Sequence, residues 1–183
     1  DVTNEKVEIQ KRELINEIST IFNKQESLQH TLDDLLIRIS EIFNYPVLGM
    51  WLLDEDEDRL NLNSYFKKSN SNIDLQNFLE NGVMYHYKEK GKGILGTVWE
   101  TGKIVKWSIN KKEFDLLLEN ETIQAGIKKV TAIPILFNKL TIGTLLIAED
   151  EDIIRYNDKI IISEEIGNHL GAEIKRKQLE LEL

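Results

Sequence analysis

GKGILGTVWETGKIVKW, Gly91 to Trp107, is a glycine-punctuated helical stretch that runs straight into a strand. Gly93, Gly96, Trp99 and Gly102 set its rhythm, and Trp107 sits on the strand that follows. Some twenty-five residues further on comes TAIPILFNKLTIGTLLIAED, Thr131 to Asp150, two apolar arms joined by a polar turn. Val130 to Phe137 and Thr141 to Ala148 are rich in β-branched residues, and Asn138 and Lys139 between them mark a tight hairpin. A short helix leading into a strand, and later a hairpin of buried strands, predicts a sheet with helical excursions.

Upstream, Val7, Leu14, Ile18, Ile21 and Phe22 recur at helical spacing among charged residues, which predicts an amphipathic helix. A polar break at Asn23 to Ser27 precedes a second one, through Leu28, Leu32, Leu35, Leu36, Ile39, Ile42 and Phe43, that must stop near Pro46. Val47 to Leu53 is apolar at nearly every position, the mark of a strand covered on both faces. Arg59 to Phe66 alternates apolar with polar residues and predicts a strand at or near an edge. A short helix is expected after Asn72, a short strand over Val83 to Tyr87, and a helical excursion over Glu113 to Ala125. Ile162, Ile166, Leu170, Ile174 and Leu181 form one stripe, which predicts a single long helix from Asn157 to Leu183. The order of elements gives an α+β fold with a mainly antiparallel sheet.

Composition narrows the function. The chain has 183 residues, 41% of them hydrophobic, enough for one packed domain. Its net charge of −9 opposes a phosphate polyanion, and the only basic run is Lys175 to Lys177, so no nucleic-acid partner is expected. With no cysteine there is no disulfide framework, thiolate metal site or thiol nucleophile, which suits a reducing cytoplasm. The longest apolar runs, such as Ile142 to Ala148, fall far short of the roughly 20 residues needed to cross a bilayer, so no membrane insertion is expected. A start at Asp1 without a signal-peptide pattern suggests a piece of a longer polypeptide.

The motif residues Gly93, Gly96, Trp99, Gly102 and Trp107, followed by Ala132, Pro134 and Gly143, resemble a GAF domain of the kind found in bacterial sensor histidine kinases. The resemblance covers Leu28 to Glu173. It implies a GAF-like, PAS-related sheet of about six antiparallel strands, terminal helices packed on one face and a ligand-type pocket on the other. The implied organisation is an N-terminal signalling and dimerisation helix over 1–26, the GAF domain over 27–173, and an extension over 174–183 toward an output module. Within that family, the free methionine sulfoxide reductases depend on cysteines, as does covalent bilin attachment, so neither activity nor a covalent bilin is expected here. Cyclic-nucleotide binders of the family carry an Asn-Lys after the last strand, where this chain has Ala148 and Glu149, and Tyr156 lacks the acidic pair expected beyond it.

Read for chemistry, GKGILGT lacks the Gly-Lys-Ser/Thr ending of a phosphate loop, so its glycines read as tight packing. Trp51, Tyr65, Tyr85, Trp99, Trp107, His86 and Phe114 are the candidate ligand contacts, since amphipathic aromatics offer area and a polar tip. Core packing accounts for Trp99 and Trp107 at least as well. The acidic turn Asp54 to Asp58 has Arg59 and Tyr65 where a calcium loop needs Gly and Glu, so it reads as a solvated turn, and Glu149 to Asp152 is read the same way. His30, His86 and His169 share no short ligand spacing, so no metal site is expected. No catalytic motif occurs, and no cofactor is specified.

The terminal helices carry the other signal. Leu14, Ile18 and Ile21 facing Ile166, Leu170 and Ile174 across a twofold axis predict a homodimer, with inner turns on the sheet and outer turns at the interface. The expectation is a noncatalytic cytoplasmic input domain that reads a small molecule or partner and signals to an output kinase or other domain in the same chain. The alternative is a pocketless module for dimerisation or protein interaction.

Overall fold

The computed structural model describes residues 2–54, 56, 58–78, 89–111 and 119–182. Helix α1 (Val2–Phe22) buries Val7, Leu14, Ile18, Ile21 and Phe22, the stripe that its periodicity marks. Helix α2 (Leu28–Phe43) starts at Ser27, whose side chain accepts from the His30 N–H, and ends at Asn44 in the left-handed conformation. Strand β1 (Val47–Asp54) is buried from Val47 through Leu52, as a strand covered on both faces must be. It turns through the acidic segment into β2 (Arg59–Lys67), the edge strand that the alternation predicts.

Next come the short α3 (Leu75–Asn77), then α4 (Gly93–Thr101) and β3 (Val105–Ser108), the helix and strand of the opening motif. Helix α5 (Glu119–Gln124) is followed by the hairpin of β4 (Lys129–Phe137) and β5 (Leu140–Glu149). Asn138 and Lys139 both have positive φ, 50° and 66°, which is the two-residue turn that suits the right-handed twist of the arms. The chain closes with α6 (Asp158–Ile161) and α7 (Glu164–Glu182). The single helix expected from Asn157 is thus two. The break falls at Ile162 and Ser163, where the Ser163 hydroxyl accepts the Ile166 N–H at 3.2 Å and caps a fresh helix start.

The five described strands form one antiparallel sheet in the order β2-β1-β5-β4-β3. The expected strand over Val83 to Tyr87 and the first part of the helical excursion lie outside the described residues. One sheet face carries Leu48, Met50, Ile133, Ile135, Leu145 and Ile147 against α1, α2, α6 and α7. The other carries Trp51, Trp107, Val130, Ala132 and Leu146 against Ile73, Phe78 and α4.

This arrangement corrects the expected dimer contacts. Leu14, Ile18 and Ile21 of α1 and Ile166, Leu170 and Ile174 of α7 are all buried in one cluster of the chain's own core. The stripes that suggested a twofold bundle meet inside a single chain, because α1 packs on α2, α6 and α7. Polar contacts fasten the same helices: Ser19 Oγ lies 2.9 Å from His169 Nε2, and the buried Lys177 donates to the Phe22 carbonyl at the end of α1 at 3.4 Å and to the Lys24 carbonyl just beyond it at 3.0 Å.

Candidate functional site

The sheet face away from the terminal helices gathers three of the predicted aromatics. Trp51, opposite Thr144 of β5, folds its ring over Gly49 into the space that a Cβ there would take. Trp107 stands opposite Val130 of β4, and Trp99 reaches the same cluster from α4, with Lys90 Nζ 5.6 Å from its ring. Tyr65 is 58% exposed and takes no part in that cluster. Tyr85, His86 and Phe114 lie outside the described residues.

Two atoms on this face lack what burial requires. Trp51 Nε1 and Trp107 Nε1 are buried and have no hydrogen-bond partner among the described residues. A buried donor left unpaired costs about 1–3 kcal/mol, so two on one sheet face each need an acceptor. The glycine loop offers no such invitation to phosphate. Gly91 N–H donates to the Gly96 carbonyl at 2.8 Å, Gly96 N–H to Lys92 at 3.1 Å, and Lys92 N–H to Glu89 at 3.2 Å. Gly96 lies so close to the Glu89 carbonyl that a Cβ would not fit, so the glycines serve close packing.

A second polar centre, one residue along from the Trp107–Val130 pair, was not legible in the sequence as one. Lys129 opens β4, Glu149 closes β5, and the register sets them directly across from each other. Lys129 Nζ lies 3.0 Å from Asp158 Oδ2 and 3.6 Å from Glu149 Oε2, and donates to the Ile153 carbonyl at 2.9 Å. Arg155 Nε stands 2.9 Å from Glu149 Oε1, and the Tyr45 hydroxyl donates to Asp158 Oδ1 at 2.6 Å. Glu149 is 1% exposed, so its reading as part of a solvated turn is wrong. An acidic residue ending an apolar strand looks like a turn until the register reveals a lysine opposite. Burial, and after it the hydrogen bond to Asp158, raises the Tyr45 phenol above its ordinary range. Burial likewise raises the Glu149 carboxyl, outweighing the attraction of Lys129 and Arg155.

That direction has a measurable consequence. A carboxyl whose folded pKa lies above its unfolded one contributes stability in full below the unfolded pKa, and that contribution is lost as pH rises through the folded value. Wild type should therefore gain stability relative to Glu149→Gln as pH falls from neutrality into the weakly acidic range. Urea midpoints of both proteins across that range test it, and parallel profiles would place the titration elsewhere.

No family model matches the sequence, and no curated protein does. Solved structures do. The A. aeolicus NLH2 GAF domain in an inactive state superposes with a TM-score of 0.67 at 17% identity, over 93% of this chain and 99% of that one. The GAF domain of a two-component sensor histidine kinase from Bacillus halodurans gives 0.60 at 15% identity, over 84% and 97%. The chain has the GAF fold. The free methionine-R-sulfoxide reductase of Neisseria meningitidis, solved with its substrate, shares it as well, with a TM-score of 0.67, 14% identity and coverage of 93% and 91%. The GAF fold therefore hosts both sensors and an enzyme, and the site must decide.

Neither polar centre of this GAF fold contains a thiol, since the sequence has no cysteine. The histidines are dispersed: His169 is held by Ser19, His86 lies outside the described residues, and His30 is on α2. His30 Nε2 stands 3.5 Å from both Glu26 Oε2 and Asp34 Oδ2, and the three ligand atoms lie within 4.8 Å of one another. Searching among histidines alone missed this group, whose spacing of four residues on either side is that of a helix face. With the His30 side chain 60% exposed, contacts along one helix face between its ring and two carboxylates account for the group.

Proposed function

We propose that this chain is a noncatalytic signal-input domain that holds a small molecule on the aromatic face of its sheet. It passes that molecule's presence through α7 to an output module, a histidine kinase domain being the first candidate. The observation that carries the reading is the pair of buried indole N–H groups of Trp51 and Trp107, which have no partner among the described residues. Ligand acceptors would satisfy them, and the sheet between them connects to α7 through β4, on which that helix lies. Support for the sensor role comes from GAF domains of two-component sensor histidine kinases among the similar structures. Reversing a 1:99 equilibrium between two helix positions would take about 5.5 kcal/mol of differential binding, a demand that one small ligand can meet in part. Dimerisation belongs to the proposal, through the outer faces of α1 and α7, where Ile9 and Leu179 are exposed.

Native mass spectrometry of freshly purified protein tests both parts. The expected result is a species of two chains that retains a small molecule. Trp51→Phe, which keeps an aromatic ring and removes the N–H, should weaken retention about tenfold, the loss of roughly one hydrogen bond. A monomer free of any ligand overturns the reading.

One observation favours the second reading, a pocketless interaction domain. Trp51, Trp99, Trp107 and Phe78 are buried together on the face where a ligand would sit, and large side chains can fill such a face completely. In that case Trp51→Phe removes an unsatisfied donor and leaves the protein as stable as wild type or more so, with nothing to retain.

A further inference from the structure

The groove beside β3 carries the opposite charge to the rest of the chain. It has a volume of about 530 Å³ and is walled by β3, the β5–α6 connection and α6. Five basic residues line it, from Lys106 on β3 to Lys159 on α6, against the two carboxylates Asp152 and Asp158. The chain as a whole has a net charge of −9.

Both carboxylates are already engaged within the protein. Asp152 Oδ2 lies 3.0 Å from the Ser108 hydroxyl, which donates to it. Asp158 accepts from Tyr45 at 2.6 Å and from Lys129 at 3.0 Å. Lys129 and Arg155 are committed in turn to Asp158 and Glu149, so these four groups form a fixed floor. Lys106 and Lys159 differ: both are exposed, and neither ammonium makes a hydrogen bond or ion pair among the described residues. They stand on separate walls of the groove. Apolar surface lies with them, since Ile154 is 94% exposed and Ile162 is partly buried, and both line the same space. A concave site of this size, with a few cations and apolar wall, has the make-up of a small-molecule pocket, whose usual range is about 300–1,000 Å³.

We propose that this groove binds a small organic anion, a phosphate or carboxylate group on an apolar stem. The head group lies between Lys106 and Lys159, and the stem rests on Ile154 and Ile162. The two ammonium groups supply charge-assisted hydrogen bonds that no described residue takes up. Because the contacts are near the surface, binding weakens as salt rises. The groove adjoins the aromatic face, since Trp107 also lines it, but the head-group contacts of Lys106 and Lys159 are its own.

The test is an NMR titration of the ¹⁵N-labelled protein at low salt with phenyl phosphate and with benzoate, which carry the two head groups on one stem. Inorganic phosphate and sodium chloride serve as the stemless anions. Saturable shifts are expected at the amides of 106–108 and 155–162, with phenyl phosphate or benzoate binding more tightly than inorganic phosphate. Lys106→Gln combined with Lys159→Gln should weaken that binding about tenfold or more, without altering the circular dichroism spectrum, since both side chains are outside the core. Failure of both organic anions to give saturable shifts overturns the proposal. So does equal affinity in the double variant, or the same shifts from chloride. Inorganic phosphate binding as tightly as phenyl phosphate overturns the assignment of an apolar stem.

Discussion

Lys129→Met should destabilise the protein by about 3–5 kcal/mol, the usual result of removing one partner from a buried ion pair. Methionine replaces most of the stem, so the loss is chiefly electrostatic. The lysine side chain is 11% exposed and its ammonium stands between Asp158 and Glu149. Without it, two carboxylates on neighbouring elements repel, and the Ile153 carbonyl loses its donor. Arg155 still faces Glu149, and Tyr45 still donates to Asp158, which keeps the cost near the lower end of the range. Urea denaturation measures the effect, and hydrogen exchange should show 150–161 opening first. Adding Asp158→Asn should recover part of the loss, because it removes one of the stranded charges. A cost below about 1 kcal/mol would mean that water reaches the cluster and that it acts as a surface pair.

Gly171→Ala should also destabilise, by about 2 kcal/mol or more, although alanine is the better helix former by about 1 kcal/mol. Gly171 lies directly on the Leu136 carbonyl, and Gly167, one turn earlier, on the Pro134 carbonyl. Both obstacles are backbone atoms of β4, held in register with β5 at Pro134↔Thr144 and Leu136↔Thr141, so they cannot swing aside as a side-chain tip would. An added methyl must lift α7 off the sheet. If α7 carries the signal, the same variant should bias the output state of the full protein in the absence of stimulus. Thermal denaturation decides the first point: a gain in stability would show that α7 can slide on β4 without cost.

The two predictions concern features of different legibility. Two glycines four residues apart on a helix, as Gly167 and Gly171 are, mark a close approach to something without saying to which surface. The lysine at the start of β4 gave no sign at all. Lys129 and Glu149 are twenty residues apart along the chain, and only the register of the hairpin places them across from each other. The helix-strand motif and hairpin were legible because glycine and tryptophan spacing and β-branched runs are local properties. The same holds for the burial of β1 on both faces and for the edge position of β2. The break at Ser163 was hidden, because the hydrophobic stripe continues through it while a single serine hydroxyl restarts the helix.

For the candidate site the division is similar. Trp51, Trp99 and Trp107 stood out as aromatics and do share one cluster, but exposure sets Tyr65 apart from them. That two indole N–H groups lack partners among the described residues is a property of the packed state, unreadable from residue type. The apolar stripes of α1 and α7 suggested a twofold dimer seam, with inner turns on the sheet and outer turns at the interface. A stripe says that it needs a partner and not which one, and here each helix finds its partner in the same chain.

By itself, then, the opening stretch from Gly91 to Trp107, taken with the hairpin of β4 and β5, determined an α+β fold with an antiparallel sheet. It did so because helix and strand periodicities and turn glycines act over a few residues. Which faces the helices cover, which carboxylates are buried with which cations, and where a positively lined groove opens beside β3 were decided only by tertiary structure. Those are contacts between residues remote in sequence, where strand register and helix placement, rather than residue type, set distance and therefore energy.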